Sequence, residues 1–431
     1  MFIFPRNWSL KALPLLCSII KGVTYTKADL GTAHTVEMIP ILRANNINKN
    51  KLNYDELVWI RKDKISPKQF LQPGDIIIAT SSGSKNLVGK AASFFDNKLI
   101  SCGAFCSILR PNHLIDQNFF KYFFQTQHYR RRISETSKGS NINNLRNQSF
   151  SMISIPVPPL AEQKRIVKKI EELFAVIDKN IQKLEHTQQA LIQYRQSVLQ
   201  QAFSGKLYKT TNWTATTLQK VVDINPKTLI PKLADTESLS FLPMPSVQEE
   251  SLNYVEKKAL FGKVKKGYTK FQDNDVLFAK ITPCMENGKG CIVHNLTHGI
   301  GFGSTEFHVL RCHQGTFPKF IYYFIIQRSF RAEAKNNMSG AVGQQRVPAD
   351  FLKFHPISLP SLSEQKAIVE KIEKAFACAD KAQAAISAAF EQAKQLKQSI
   401  LKRAFEGRLV PQNPNDKPVD LTQLTPKGKT K

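Results

Sequence analysis

One stretch of this chain is written twice. Residues 160–207 read LAEQKRIVKKIEELFAVIDKNIQKLEHTQQALIQYRQSVLQQAFSGKL, and residues 362–409 read LSEQKAIVEKIEKAFACADKAQAAISAAFEQAKQLKQSILKRAFEGRL. The copies align without insertion from Glu162 and Glu364 to Gly205 and Gly407. Neither contains proline, and the first glycine in each is Gly205 or Gly407, so nothing breaks a helix before a C-terminal cap. In the first copy the apolar positions step by four and three through Ile166, Ile170, Leu173, Ile177, Leu184, Leu191, Tyr194 and Val198, with Asn180 and Thr187 at the polar places of the same register. In the second they run Ile368, Ile372, Ala375, Ala379, Ala382, Ile386, Ala389, Ala393, Leu396 and Ile400. A heptad seam of this length marks a helix that packs along another helix. The period of the repeat is far too long for a solenoid. The chain is therefore expected to be a duplicated unit, each unit a globular part followed by a long helix.

The rest of the chain divides accordingly. The boundaries read from the sequence are a globular part at 1–158, a helix at 159–207, a second globular part at 208–360, a second helix at 361–410, and a disordered Pro-, Asn- and Lys-rich tail at 411–431. Within the first globular part, strand-like runs at 57–60, 76–80 and 105–109 are separated by turn signals. A helix is expected at 117–133, then an exposed loop at 137–150 rich in amide and hydroxyl side chains. The second part repeats this layout with different residues: 271–279 echoes 71–79, a helix at 319–334 echoes the first, and a loop at 339–350 echoes the loop at 137–150. Ser361 and Glu364 form the pattern of a capping box, whereas Pro159 stands where Ser361 does. A duplicated chain that keeps its helices alike uses them for a common purpose; its divergent globular parts do two versions of one job.

At 431 residues the chain is long enough for more than one domain. Its 61 lysines and arginines against 34 acidic residues give a net charge of +27, which favours a polyanionic partner. A membrane surface fits less well, because the long helices carry both signs of charge. The first residues lack the basic start and unbroken apolar run of a signal peptide. Seven scattered cysteines suit free thiols in a reducing cytoplasm.

Catalytic motifs are approached but not completed. The segment from Gly83 to Lys90 has one residue too many between its glycines for a phosphate loop, and Ala91 replaces the Mg²⁺-binding hydroxyl. Ile224-Asn225-Pro226-Lys227 starts like an adenine methyltransferase motif but lacks its second proline and its aromatic. Cys284, Cys291, His294 and His298 lack the spacing of a zinc site. No catalytic, cofactor-binding or metal-ligating residues are assigned.

The repeated helix, opening on L-x-E-Q-K and closing on A-F-x-G-[KR]-L, resembles the two conserved regions of specificity subunits of type I restriction–modification systems. The segment from Asp275 to Lys289 (DVLFAKITPCMENGK) and Ile224-Asn-Pro-Lys227 are similar to stretches of the target-recognition domains of those subunits. The resemblance implies a non-catalytic DNA reader of α/β (α+β) class. Two target-recognition domains each bind half of a bipartite, asymmetric site. The two long helices form an intramolecular antiparallel coiled coil with pseudo-twofold symmetry, which sets the gap between half-sites. That coiled coil docks two methyltransferase subunits, which hold S-adenosylmethionine and methylate adenine; a motor-nuclease subunit using ATP and Mg²⁺ can join. The identity of the two helices at their ends exceeds what a seam needs, and docking of that partner would account for it.

Side-chain type and equivalent placement in the halves select candidate DNA contacts. In the first part these are Lys85, Asn86, Lys138, Ser140, Asn141, Asn143, Asn144 and Arg146. In the second they are Lys265, Lys266, Tyr268, Lys280, Gln344, Gln345 and Arg346. The competing reading is a coiled-coil scaffold that binds proteins or RNA without DNA sequence specificity.

Overall fold

A computed structural model describes residues 4–31, 35, 37–82, 87–136, 143–145, 147–208, 213–341 and 343–419. The chain forms two compact units. The first comprises residues 1–184 and 388–431, the second residues 185–387. Each unit holds one globular domain, the first part of the long helix that follows it, and the last part of the other long helix. The long helices span Leu160–Phe203 and Leu362–Phe405.

In the first unit an antiparallel sheet has the order Cys17–Lys21, Cys106–Pro111, Ile76–Ala79, Ala91–Ser93. Its central strand, Ile76–Ala79, is buried at every residue, as its unbroken apolar run requires. A second sheet joins Met38–Leu42 to Ser101–Cys102 in parallel and to Val58–Arg61 antiparallel, with Leu30–Gly31 outside Val58–Arg61. The second unit has the same first sheet: Val222–Ile224, Phe307–Cys312, Val276–Ala279, Gly290–Ile292. Its second sheet again joins one strand, Ser238–Leu242, to a parallel and an antiparallel neighbour, Ile300–Gly303 and Lys257–Leu260. Here the further strand, Thr269–Gln272, is added beside Ile300–Gly303.

The echo between 71–79 and 271–279 has a structural cause. Asp75 and Asp275 are both 1 % exposed and each accepts a backbone N–H, from Gln72 and Gln272. Each also accepts both forks of an arginine on the neighbouring strand, Arg110 at 2.9 and 2.8 Å and Arg311 at 2.9 and 2.8 Å. A buried carboxylate persists only with such partners.

Each single helix expected before the loop is two helices. Gln117–Phe123 is followed by Gln127–Thr136, and Pro318–Ile325 by Arg328–Asn336. In the first pair the Thr126 hydroxyl donates to Phe123 O and accepts from Tyr129 N–H, ending one helix and capping the next. In the second pair Arg331 Nε donates to Ile326 O, across the corresponding break.

The ends of the long helices are fixed by their own units. Gln163 and Gln365 are fully buried. Gln163 Oε1 accepts from Asp116 N–H and its Nε2 donates to Leu114 O and Pro158 O. Gln365 does the same with Phe317 N–H, Gly315 O and Pro360 O. At the far ends Ala202 and Ala404 are fully buried, Phe405 lies between Phe119 and Phe123, and Phe203 lies between Phe320 and Phe324. Much of the shared sequence at the helix ends is thus attachment to the globular domains. Of the repeated Glu-Gln-Lys only Lys164 and Lys366 are exposed in both copies. Gly205 and Gly407 take φ of 75° and 70°, and Lys206 N–H and Arg408 N–H reach back five residues to Gln201 O and Arg403 O, a Schellman end.

The seam differs from the heptad reading in its middle. Ile166, Ile170, Ile177, Ile368, Ile372, Ala379, Ile386 and Ile400 are buried, and Leu173, Leu184, Leu191, Val198 and Ala375 are buried or half-buried. Leu396 is 51 % exposed and Tyr194 45 %, so neither belongs to the seam; Ala382, Asn180 and Thr187 are exposed as well. The inward residues are their neighbours. Lys397 lies 4.9 Å from the Phe174 ring and Arg195 4.9 Å from the Phe376 ring. Each head group then reaches a carboxylate on the facing helix, Asp178 or Asp380, at 2.5 Å. A helix of 3.6 residues per turn drifts against a strict seven-residue repeat, and the long stems of Lys and Arg cover apolar surface where the drift brings them round.

The cap of the first long helix departs from that of the second. Ser361 and Glu364 exchange bonds as a capping box. Glu162, preceded by Pro159 in place of that serine, is 1 % exposed and accepts instead from Trp8 Nε1 and Gln412 Nε2. Asp416 pairs with Arg165. Residues 411–419, expected to be disordered, therefore lie along the start of the first long helix; 420–431 are outside the described residues.

Candidate nucleic-acid interface

Both domains build the same frame at the end of their central strand. In the second unit Lys280 follows Val276–Ala279. Its N–H donates to Glu306 O, and its carbonyl accepts from Val347 N–H. Thr282 N–H donates to Gln345 O, and Arg346 exchanges two backbone bonds with Ser339. Val347 is buried and plugs the loop into the domain. The residues before it, Gln344, Gln345 and Arg346, are exposed or half-buried. In the first unit Thr80 N–H donates to Phe105 O, its carbonyl accepts from Leu145 N–H, and Asn143–Asn144 pairs with Ser81–Ser82. Leu145 is the buried plug there. Asn143-Asn144 and Gln345-Arg346 thus occupy the same place in the two frames.

Charge at the second frame is organised around Glu306. Its carboxylate accepts from Arg346 Nε at 2.9 Å and Nη2 at 2.7 Å. That pairing holds the Glu306 pKa below its ordinary value, with Lys280 adding to the effect. Burial lowers the pKa of Lys280, and the nearby Glu306 partly offsets it.

The candidates divide as follows. Lys280, Gln344, Gln345 and Arg346 come together in the second frame. Lys265, Lys266 and Tyr268 lie in the segment that leads into Thr269–Gln272, a strand of the other sheet of that domain. There Lys265 pairs with Asp235, Lys266 is exposed, and Tyr268 packs edge-on against Phe241. Asn143 and Asn144 sit in the first frame through their backbone. Lys85, Asn86, Lys138, Ser140, Asn141 and Arg146 lie outside the described residues. Sequence reasoning missed Glu306, because an acidic residue is no obvious partner for DNA.

The near-miss motifs have structural roles. Asn225, at a φ of 54°, accepts from Val309 N–H and holds the His308 ring, whose Nε2 bonds Val347 O. Ile224-Asn-Pro therefore braces the loop plug. The Gly89 carbonyl accepts from the buried Tyr129 hydroxyl. Cys291 is buried, and burial pushes its thiol up; His298 pairs with Glu237 at 3.2 Å.

Two domains on one frame with different loop residues, each tied to a long paired helix, define a two-headed recognition protein. The model of the type I restriction modification DNA specificity domain matches twice, over residues 5–186 and 210–391, and the chain belongs to that family. It is 32 % identical to the specificity subunit of the type I restriction enzyme EcoKI from Escherichia coli strain K12, over 95 % of this chain and 90 % of that one. To the StySPI specificity subunit of Salmonella potsdam it is 31 % identical, with the same two coverages. Two solved structures share the fold. One comes from work on complex assembly and conformational transition of the type I R-M system, with a TM-score of 0.70, 18 % identity, and 95 % of this chain and 100 % of that chain covered. The other is the HsdS subunit from Thermoanaerobacter tengcongensis, with a TM-score of 0.53, 18 % identity, and 94 % and 98 % covered. The chain is a specificity subunit and the non-catalytic, DNA-specifying part of a restriction–modification enzyme. Among the described residues no helix is long and apolar enough to cross a membrane.

Proposed function

We propose that each domain reads one half of a bipartite, asymmetric DNA site and that the paired long helices set the spacer. The observation that carries this reading is the shared frame with divergent loops, Asn143-Asn144 in one domain and Gln345-Arg346 in the other. The helices also dock two methyltransferase subunits, which bring S-adenosylmethionine and methylate adenine. Motor-nuclease subunits, with ATP and Mg²⁺, can join to cut unmodified DNA. The assembly works in the cytoplasm of a prokaryotic cell.

The test is to purify the chain with and without its cognate methyltransferase subunit. The chain alone should methylate nothing; the complex should methylate adenine at one split motif. Methylation by the chain alone would sink the reading. Affinity for duplex DNA should fall steeply with salt, because neutralising phosphates releases counterions; a flat response would favour the scaffold. Inserting residues into one long helix should change the spacer and leave both half-sites as they were.

A further inference from the structure

We infer that Arg346, held by Glu306, reads a guanine in the half-site of the second domain, and that Glu306 is a positioning residue for that contact. The inference rests on the reading of this loop as a DNA-facing element.

A guanidinium has five N–H donors in a rigid plane. Glu306 takes the side-on pair, Nε and one hydrogen of Nη2. Nη1 gives one hydrogen to Gln344 O at 3.0 Å. Among the described residues this leaves one N–H on each terminal nitrogen. With the Gln344 bond on the Cδ-side hydrogen of Nη1, the two that remain form the end-on fork, which matches the paired acceptors O6 and N7 that guanine shows in the major groove.

The rest of the surroundings favours a base over a phosphate. A cation meant for the backbone is best left free, since a carboxylate beside it repels the phosphate it should attract. Arg346 instead shares Glu306 with Lys280. Its backbone is fixed from two sides, by Ser339 and through the isolated pairing with Ile281. The side chain remains 43 % exposed, so its free edge is open to a ligand. Fixed backbone, clamped side chain and open edge together make a preorganised reader.

Among the described residues the first domain lacks this device. Phe105 stands where Glu306 does, since Thr80 N–H bonds Phe105 O as Lys280 N–H bonds Glu306 O. Phe105 is 69 % exposed and has no carboxylate to grip a guanidinium side-on.

The experiment co-expresses the full chain with its cognate methyltransferase subunit in a host lacking adenine methylation, and sequences the modified genome. Wild type should give a split motif with a G·C pair in one half. Glu306→Gln and Arg346→Gln should each relax that pair by roughly ten-fold or more, leaving the other half-site and the spacer unchanged. Arg346→Lys should not restore it, because an ammonium lacks the planar fork. An unchanged motif in Arg346→Gln, or a loss spread over all positions, would overturn the inference. If Glu306→Gln leaves no methylation at all, Arg346→Gln still decides, since it removes only a half-exposed surface side chain. Absence of any split motif in the wild type would instead overturn the reading of the chain on which the inference rests.

Discussion

The two units share a skeleton and differ at the turn and loop beside the end of their central strands. Buried Asp–Arg pairs at Asp75–Arg110 and Asp275–Arg311, buried glutamines at Gln163 and Gln365, and a cation over an aromatic ring at Lys397–Phe174 and Arg195–Phe376 recur in both. The turn beside the displayed loop carries exposed Phe105 in one and Glu306 bound to Arg346 in the other. Edges of the second sheet differ too, with a strand added on opposite sides. The sharing is densest where a residue holds domain to helix, and the divergence is at the frame's rim. Duplication has kept what positions the loops and released what the loops say.

The strongest way to break this equivalence is to remove a buried charge partner. Arg110→Met leaves Asp75, 1 % exposed, without its guanidinium, and Arg311→Met does the same to Asp275. Each should cost about 3–5 kcal/mol, the penalty of a buried uncompensated charge. Urea midpoints of the two variants should fall by similar amounts. A fall in only one would show that the skeletons are alike in geometry but not in energy.

Acid should separate the units. His308 is 4 % exposed, and burial lowers its pKa from 6.5 to about 4; Ser107 is at the equivalent place in the first unit. The unfolded chain takes up the proton first as pH falls. The contribution of neutral His308 is complete above pH 6.5 and is lost progressively down to about 4, a change of about 3 kcal/mol at 1.36 kcal/mol per unit. Burial also lowers the pKa of His355 in the second unit and of His128 in the first, so both units weaken in acid. Hydrogen exchange at pH 5 against pH 7.5 should show the larger loss of protection in residues 222–312. Equal losses in both units would count against His308 as the main proton sink.

The long helices, their caps at Gly205 and Gly407, and the capping box at Ser361 were legible in the sequence, because periodicity and end signals act locally. The duplication of the domains was legible only as layout. Its cause, a buried aspartate bonded to an arginine on another strand, joins residues 35 and 36 positions apart and leaves no local pattern. Reading Leu396 and Tyr194 as seam followed from treating charge as outward. Lys397 and Arg195 show that a long cationic stem over a ring is an inward residue too. Glu306 was invisible because its value lies in what it does to Arg346.

That seam position gives the smallest and most symmetric prediction. Arg195→Gln and Lys397→Gln each remove a cation from an aromatic face and the cover its stem provides, at about 1 kcal/mol. The carboxylates they reach are largely exposed, with Asp380 71 % and Asp178 54 % open to solvent. Asp380→Asn and Asp178→Asn should therefore change stability by no more than about 0.5 kcal/mol, and by less still in high salt. If the ring contact is what matters, Phe376→Leu should make Arg195→Gln nearly silent, and Phe174→Leu should do the same for Lys397→Gln, in paired double-mutant cycles. Coupling that followed the carboxylate instead of the ring would make these positions ion pairs first, and would undo the explanation of why the seam prefers lysine and arginine to the leucine and tyrosine beside them.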